Sequence, residues 1–345
     1  MGVHMAARLK DIARDLNLSV VTISKVLRDH PDISTETRER VLKRMKELNY
    51  RPNLAARALV TGRSYIAGLV VPDLVHPFFG QVAKAISSVL RKKGYSLVLS
   101  SSEDDPELEQ QEIDQLLARR VDVLIVASTQ STVETFRRLE EQKIPYVLID
   151  RKFDELTANF VGVDDEAVGA LATSHLVEVG CRRIAHIGGP KVSTAIGRAD
   201  GFRLALRANR MSTPAEYVVM REHGDDAGDA SGYEAMKRML ALKQKPDGVF
   251  CYNDPTAMGA MKAVLEASLR VPEDVAVVGC GNVAYADFLR VPLTSVDQQS
   301  DAIGDRTARL ALGLLEGGAP AKAKMVLLEP KLVVRASTMR HKRAG

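Results

Sequence analysis

The chain has 345 residues, of which 46 % are hydrophobic and 27 % charged, and a formal net charge of +4. That is room for two or three domains with packed cores. No apolar run reaches the ~18 residues that span a bilayer and no secretory apolar segment opens the chain, so no membrane partner is expected. Cys181, Cys251 and Cys280 lie too far apart for a zinc site or a disulfide framework, and a reducing, cytoplasmic setting is expected. The charge is uneven. Residues 1–63 carry 13 Lys and Arg against 7 Asp and Glu, whereas residues 64–345 carry 35 against 37. A basic N-terminal piece ahead of a slightly acidic remainder points to a polyanionic partner for that piece.

Three helices are read in the first fifty residues. Leu9, Ile12, Ala13 and Leu16 form the apolar stripe of the first. A turn at Asn17–Leu18 follows, and Ser19 caps the second, because its hydroxyl can accept a first-turn N–H. Ile23, Val26 and Leu27 are its expected buried stripe. Ser34 caps a third helix running to about Asn49, with Val41, Met45 and Leu48 facing inward. Two short helices joined by a tight turn, with a third closing a small core, describe a helix-turn-helix.

In that module the second helix enters the major groove. Outward methyls at its start can meet the thymine C5-methyl, and a lysine one turn on can donate to guanine or to phosphate. Val21 and Lys25 are therefore read as base-reading, and Ser19 and Thr22 as phosphate contacts. Val20, three residues before Ile23, is open between core and base edge. The next stretch, YRPNLAARALVTGRS, offers a two-turn helix that is marginal alone and orders against a partner.

From Tyr65 onward, β-like runs alternate with amphipathic helical stretches: YIAGLVV, YSLVLSS, VDVLIVAS and PYVLID, then RRIAHIGG, DGVFCYND and VAVVGCG. This pattern predicts two doubly wound lobes of parallel sheet. Ligands of such sheets bind at the carboxyl ends of the strands. Asp73, Phe78, Phe79, Asp150, Arg151, Asn253 and Gln298 fall there, and Arg198 lies near a helix start. Each has a plain alternative: Asp150 or Asn253 as a helix cap, the two phenylalanines as core.

The stretches LKDIARDLNLSVVTISKVL, ISTETRERVLKRMKELNYRPN and LAARALVTGRS resemble the DNA-binding headpiece of the lactose-repressor (LacI) family. The likeness continues through GLVVPDLVHPFFGQV, HLVEVGCRRIAHIGG, NDPTAMGAMKA, VPEDVAVVG and VPLTSVDQ. It implies an all-α helix-turn-helix headpiece at residues 8–52, a hinge helix at 53–63 and a periplasmic-binding-protein-like core at 64–340. The expected N-lobe is about 64–160 plus 293–323, and the C-lobe about 161–292 plus 324–340.

The resemblance implies base reading by Val20, Val21 and Lys25 and a minor-groove wedge at Leu59, with Asn53 and Ala56 on the same hinge helix. An apolar wedge unstacks a base step and bends the duplex. For the core it implies a small effector stacked on Phe78 or Phe79. Asp73, Asp150, Arg151, Arg198, Asn253 and Gln298 hydrogen-bond it, and Phe160 and Asn282 are further candidates. After VAVVG the family usually has an aromatic and an aspartate; here Cys280, Gly281 and Asn282 stand. The lost acidic acceptor favours an acidic sugar over a neutral one.

The expected protein is a regulator, by family a repressor, binding a near-palindromic operator as a C₂ homodimer under allosteric control by a sugar or sugar acid. A corepressor-dependent regulator with a non-sugar effector is left open. An enzyme reading rests on G-x-G-x-x-A at residues 279–284, with Asp297 some way on. That match stands at the end of the sheet series with no clear helix after it, so no enzyme, cofactor or metal is expected.

Overall fold

The computed structural model describes residues 8–27, 30–50, 58, 61–221, 228–317 and 322–340. The chain divides into two compact units, Met1–Ser64 and Tyr65–Gly345.

The first unit holds α1 (Leu9–Leu16), α2 (Val20–Leu27) and α3 (Thr35–Glu47). Asn17 makes the turn between α1 and α2 in the left-handed region, at φ 54°. The core is Ile12, Ala13, Ile23, Val26, Val41 and Met45. Leu27 departs from the expected stripe and is 38 % exposed. It ends α2, where the helix has run past the α1 and α3 surfaces that cover Ile23 and Val26.

The second unit is built on two six-stranded sheets. The first comprises β1 (Ile66–Val71), β2 (Ser96–Ser101), β3 (Val123–Val126), β4 (Tyr146–Ile149), β5 (Phe160–Val163) and β11 (Met325–Leu328), in the order β11-β5-β4-β3-β1-β2, all parallel. The second comprises β6 (Ile184–Ile187), β7 (Val218–Val219), β8 (Gly248–Cys251), β9 (Ala276–Cys280), β10 (Thr294–Asp297) and β12 (Lys331–Val333), in the order β12-β10-β9-β8-β6-β7. Only β12 runs antiparallel to its neighbour. The inner strands are buried throughout, which is why they read as unbroken apolar runs: helices cover both faces.

The chain passes between the lobes at residues 163–165, 297–300 and 328–331. These points correct the expected boundaries. Residues 161–163 stay in the N-lobe because β5 continues its sheet against β4. Residues 293–297 belong to the C-lobe because Thr294 and Ser295 pair with Val278 and Gly279. Residues 325–328 return to the N-lobe beside β5. Gln299 braces two of the passages: its backbone N–H donates to Asp297 Oδ1 at 2.6 Å and its Nε2 to the Glu329 carbonyl at 2.6 Å.

Three helices position the site. α4 (Pro77–Arg91) starts with Pro77 in its first turn, where a missing N–H costs nothing, and His76 is its N-cap. α7 (Asp165–Glu178) and α8 (Ser193–Ala208) cross so closely that a Cβ on Gly169 or Gly201 would lie within about 2 Å of a backbone carbonyl on the other helix. That approach brings Asp165 of α7 against Arg198 of α8.

Candidate functional site

In the headpiece, Ser19 caps α2: the Thr22 N–H donates to its Oγ at 2.9 Å, and the two hydroxyls are 2.8 Å apart. Val20 is 39 % exposed and Val21 63 %, so both valines at the start of α2 face outward. Water-facing methyls at a helix start give nothing to the fold. The Lys25 ammonium lies 3.2 Å from Asp32 Oδ2, so it is held beside the same surface. Asn53, Ala56 and Leu59 lie outside the described residues. Ala58 and Thr61 are helical, and the Gly62 N–H donates to the Ala58 carbonyl at 2.8 Å.

In the core, a cavity of about 540 Å³ opens between the lobes at the carboxyl ends of the strands. Asp73, Phe78, Phe79, Asp150, Arg151, Arg198, Asn253 and Gln298 line it together. Phe78 and Phe79 also belong to the N-lobe core, meeting edge to face at 5.1 Å, so the core and lining readings hold at once. Asn253 likewise has two roles. Its Oδ1 accepts from the Thr256 N–H at 2.8 Å and caps α10 (Asp254–Glu266), while its Nδ2 crosses the cleft to His76 Nε2 at 3.1 Å. A second link crosses where the Lys152 N–H donates to Ser193 Oγ at 3.0 Å.

Two expected residues are elsewhere. Phe160 is 2 % exposed inside the N-lobe core, packed over Gly162, because it opens β5 and so lies at the amino end of the strand, away from the carboxyl ends that border the cleft. Asn282 has left-handed backbone, φ 48°, and is turned aside: its Oδ1 accepts from Arg335 Nη2 at 2.8 Å and its Nδ2 faces Asp297. The lining also includes His76, Asp104, Arg221 and Tyr252, which sequence patterns did not single out. His76 and Asn253 are 177 residues apart in the chain, so no local signal joins them.

The charges of the cleft are tied down. Arg151 Nη1 donates to Asp104 Oδ1 at 2.8 Å and to the Ser128 carbonyl at 3.3 Å. Ser128 is anchored in turn by the fully buried Glu109, at 2.7 Å. Arg198 Nε donates to Asp165 Oδ1 at 2.9 Å and its Nη1 to the Tyr252 carbonyl at 2.7 Å. The Arg198 guanidinium lies 4.7 Å from the centre of the Tyr252 ring. Burial pushes the Asp150 carboxyl above the usual range, against the pull of Arg198 and Arg151. Burial also raises Asp165, to about 7, with Arg198 opposing it, and lowers His76 to about 4. Such a site suits a small polar molecule with an apolar face.

The geometry lacks the parts of a dinucleotide enzyme. β9 is followed by left-handed Asn282 and a short 3₁₀ turn, Ala284–Asp287, where a phosphate-binding helix would have to start. No cluster of metal-binding side chains occurs among the described residues, and no helix among them is long and apolar enough to cross a membrane.

Comparison with known proteins agrees in both units. Residues 8–53 match the family of bacterial regulatory proteins named lacI, and residues 173–338 match a periplasmic binding protein-like domain. The chain is 32 % identical over 336 residues to the HTH-type transcriptional repressor PurR of Klebsiella pneumoniae (strain 342), covering 96 % of each. It is 33 % identical over 332 residues to the ribose operon repressor of Halalkalibacterium halodurans, again covering 96 % of each. This chain belongs to the LacI family. Among solved structures, the lac repressor dimer bound to operator and the anti-inducer ONPF superposes with a TM-score of 0.85 at 29 % identity, over 97 % of this chain and 100 % of that one. The cellobiose complex of the regulator CelR gives 0.71 at 29 %, over 96 % and 99 %. A LacI-family protein with these relatives is a DNA-binding transcriptional regulator of the repressor type, and not an enzyme.

Proposed function

We propose that this LacI-family regulator binds a near-palindromic operator as a homodimer in the cytoplasm and changes its DNA affinity when a sugar or sugar acid enters the core cleft. Val20, Val21 and Lys25 read base edges. Ser19 and Thr22 hold phosphates. Asn53, Ala56 and Leu59 contact the minor groove, a role that rests on the family resemblance alone. Asp73, Phe78, Phe79, Asp150, Arg151, Arg198, Asn253 and Gln298 hold the effector.

The observation that carries the DNA reading is the outward pair Val20 and Val21 on a capped helix whose other side is core. Exposed β-branched methyls match the thymine methyl, and a lysine one turn on matches a guanine or a phosphate. Operators with two half-sites about one helical turn apart need two copies of α2, hence a C₂ dimer. The observation that carries the effector reading is the cleft itself, a polar cavity crossed by hydrogen bonds from both lobes. A ligand that prefers one lobe arrangement shifts the equilibrium by its differential affinity.

Footprinting on sequences recovered from random duplexes tests the first part. Protection of two half-sites related by a dyad is expected, and a single unpaired site would refute the dimeric operator. Footprints repeated with sugars and sugar acids read the sign of the response, inducer or corepressor.

A further inference from the structure

The wall of the cleft carries open hydrogen-bond donors. Three buried nitrogen atoms in its wall have no partner: Arg151 Nε, Gln298 Nε2 and His76 Nδ1. Arg151 is 7 % exposed and Gln298 4 %. The Gln298 amide faces the Asp150 carboxyl, but its Nε2 makes no hydrogen bond of ordinary geometry.

The state of His76 follows from its neighbour. A backbone N–H, that of Thr256, donates to Asn253 Oδ1, so the other end of that amide is its NH₂. That group donates to His76 Nε2. Burial keeps the ring neutral, and a neutral imidazole has one acceptor and one donor nitrogen. Nε2 accepts, so Nδ1 carries the hydrogen. The three open atoms are therefore all donors. They come from three separate segments: the cap of α4, the turn after β4, and the passage after β10.

Several acceptors, by contrast, already hold a donor. Asp104 Oδ1 takes Arg151 Nη1, Asn253 Oδ1 takes the Thr256 N–H and hydroxyl, and Asp73 Oδ1 takes the Val75 N–H. A buried donor left unmatched costs ~1–3 kcal/mol. Three in one cavity call for a ligand that supplies acceptors. A hydroxyl can also accept, but it brings a proton that must find one of the cleft carboxylates, among them Asp73, Glu103, Asp104 and Asp150. A carboxylate or phosphate accepts without donating, and bonds from N–H to an ionised oxygen are the stronger kind.

We propose that the effector is a polyhydroxylated molecule bearing an oxyanion, and that its anionic oxygens take the N–H groups of Arg151, Gln298 and His76. Its hydroxyls go to Asp150 and its apolar face to Phe78 and Phe79. The inference rests on the reading of the cleft as the effector site.

The test is isothermal titration of the full chain with three panels on matched carbon skeletons: aldonates and uronates, sugar phosphates, and neutral sugars and polyols. A member of one anionic panel should bind at least about tenfold more tightly than its neutral counterpart, ~1.4 kcal/mol. Which panel it comes from separates carboxylate from phosphate. Gln298→Glu, which sets a like charge against the oxyanion, should weaken that ligand by a further factor of about ten. His76→Ala should weaken it less and leave the fold intact by thermal melting. A neutral sugar that binds more tightly than its matched acid and phosphate overturns the oxyanion while leaving the cleft as an effector site. Silence from every panel overturns both. A hit indifferent to both substitutions overturns the assignment of donors.

Discussion

The headpiece and the core treat charge in opposite ways. In the headpiece the charged groups stay near water: Lys25 and Asp32 meet with 35 % and 59 % of their side chains exposed, and the buried set is purely apolar. In the core, Arg151, Arg198, Asp150, Asp254 and Glu109 are all buried. An exposed ion pair contributes little, typically under ~1 kcal/mol, and its members are free to turn to another partner. Buried charges are locked by their neighbours, and breaking a set is costly. The headpiece is thus suited to exchange its contacts for DNA, whereas the core holds its cleft charges against fixed partners within the fold.

Removing a charge should separate the two regions most sharply. Arg198→Ala leaves Asp165 without its partner and the Tyr252 carbonyl without a donor. It should cost ~3–5 kcal/mol of core stability. Urea unfolding of the core, followed by circular dichroism, reads it; a loss below about 1 kcal/mol would mean the pair is not locked.

Protonation gives the next effect. His186 is fully buried, stacked between Phe202 and Phe250, and burial lowers its pKa to about 4. Between pH 6.5 and 4 the unfolded chain takes a proton there that the folded chain refuses, so this group's contribution to stability is lost as pH falls. His186→Phe removes that linkage. Relative to the parent, the variant should gain up to ~3 kcal/mol on going from pH 7 to pH 4. The raised carboxyls of Asp165 and Asp254 act in the opposite sense in the parent and the variant alike, so they cancel in the difference. A pH-independent difference in stability would contradict the assignment.

Changes in the headpiece should be smaller and should act on DNA. Lys25→Ala should weaken operator binding by ~1–3 kcal/mol if it donates to a guanine, with a lesser loss on random duplex. Equal losses on both would mark a phosphate contact only. Ser19→Ala removes the cap of α2 and should cost ~1 kcal/mol of headpiece stability. Hydrogen exchange of the α2 amides measures it, and unchanged protection would show that the cap is not needed.

The same division explains what was legible in the sequence. Local signals were enough for the three headpiece helices, since Ser19, Asn17 and Ser34 act on residues three or four positions away. The buried strands announced themselves by continuous apolar runs. The lobe boundaries did not, because β10 and β11 are four residues each and only pairing with β9 or β5 decides their sheet. Most of the cleft followed from strand ends. Phe160 misled because it opens its strand, at the end far from the cleft, and Asn282 because left-handed backbone turned it toward Arg335. His76 escaped notice for the complementary reason: its partner comes from the other lobe.

The central claim is that α2 reads a defined operator and that the core controls the reading. The most direct measurement is selection of binding sites from random duplex DNA with the full chain, with and without pooled sugars, sugar acids and sugar phosphates. A recovered near-palindrome whose occupancy changes with one pool is the expected result. Enrichment of no sequence under any condition would contradict the assignment of Val20, Val21 and Lys25 to base reading, and a palindrome indifferent to every pool would contradict control through the cleft.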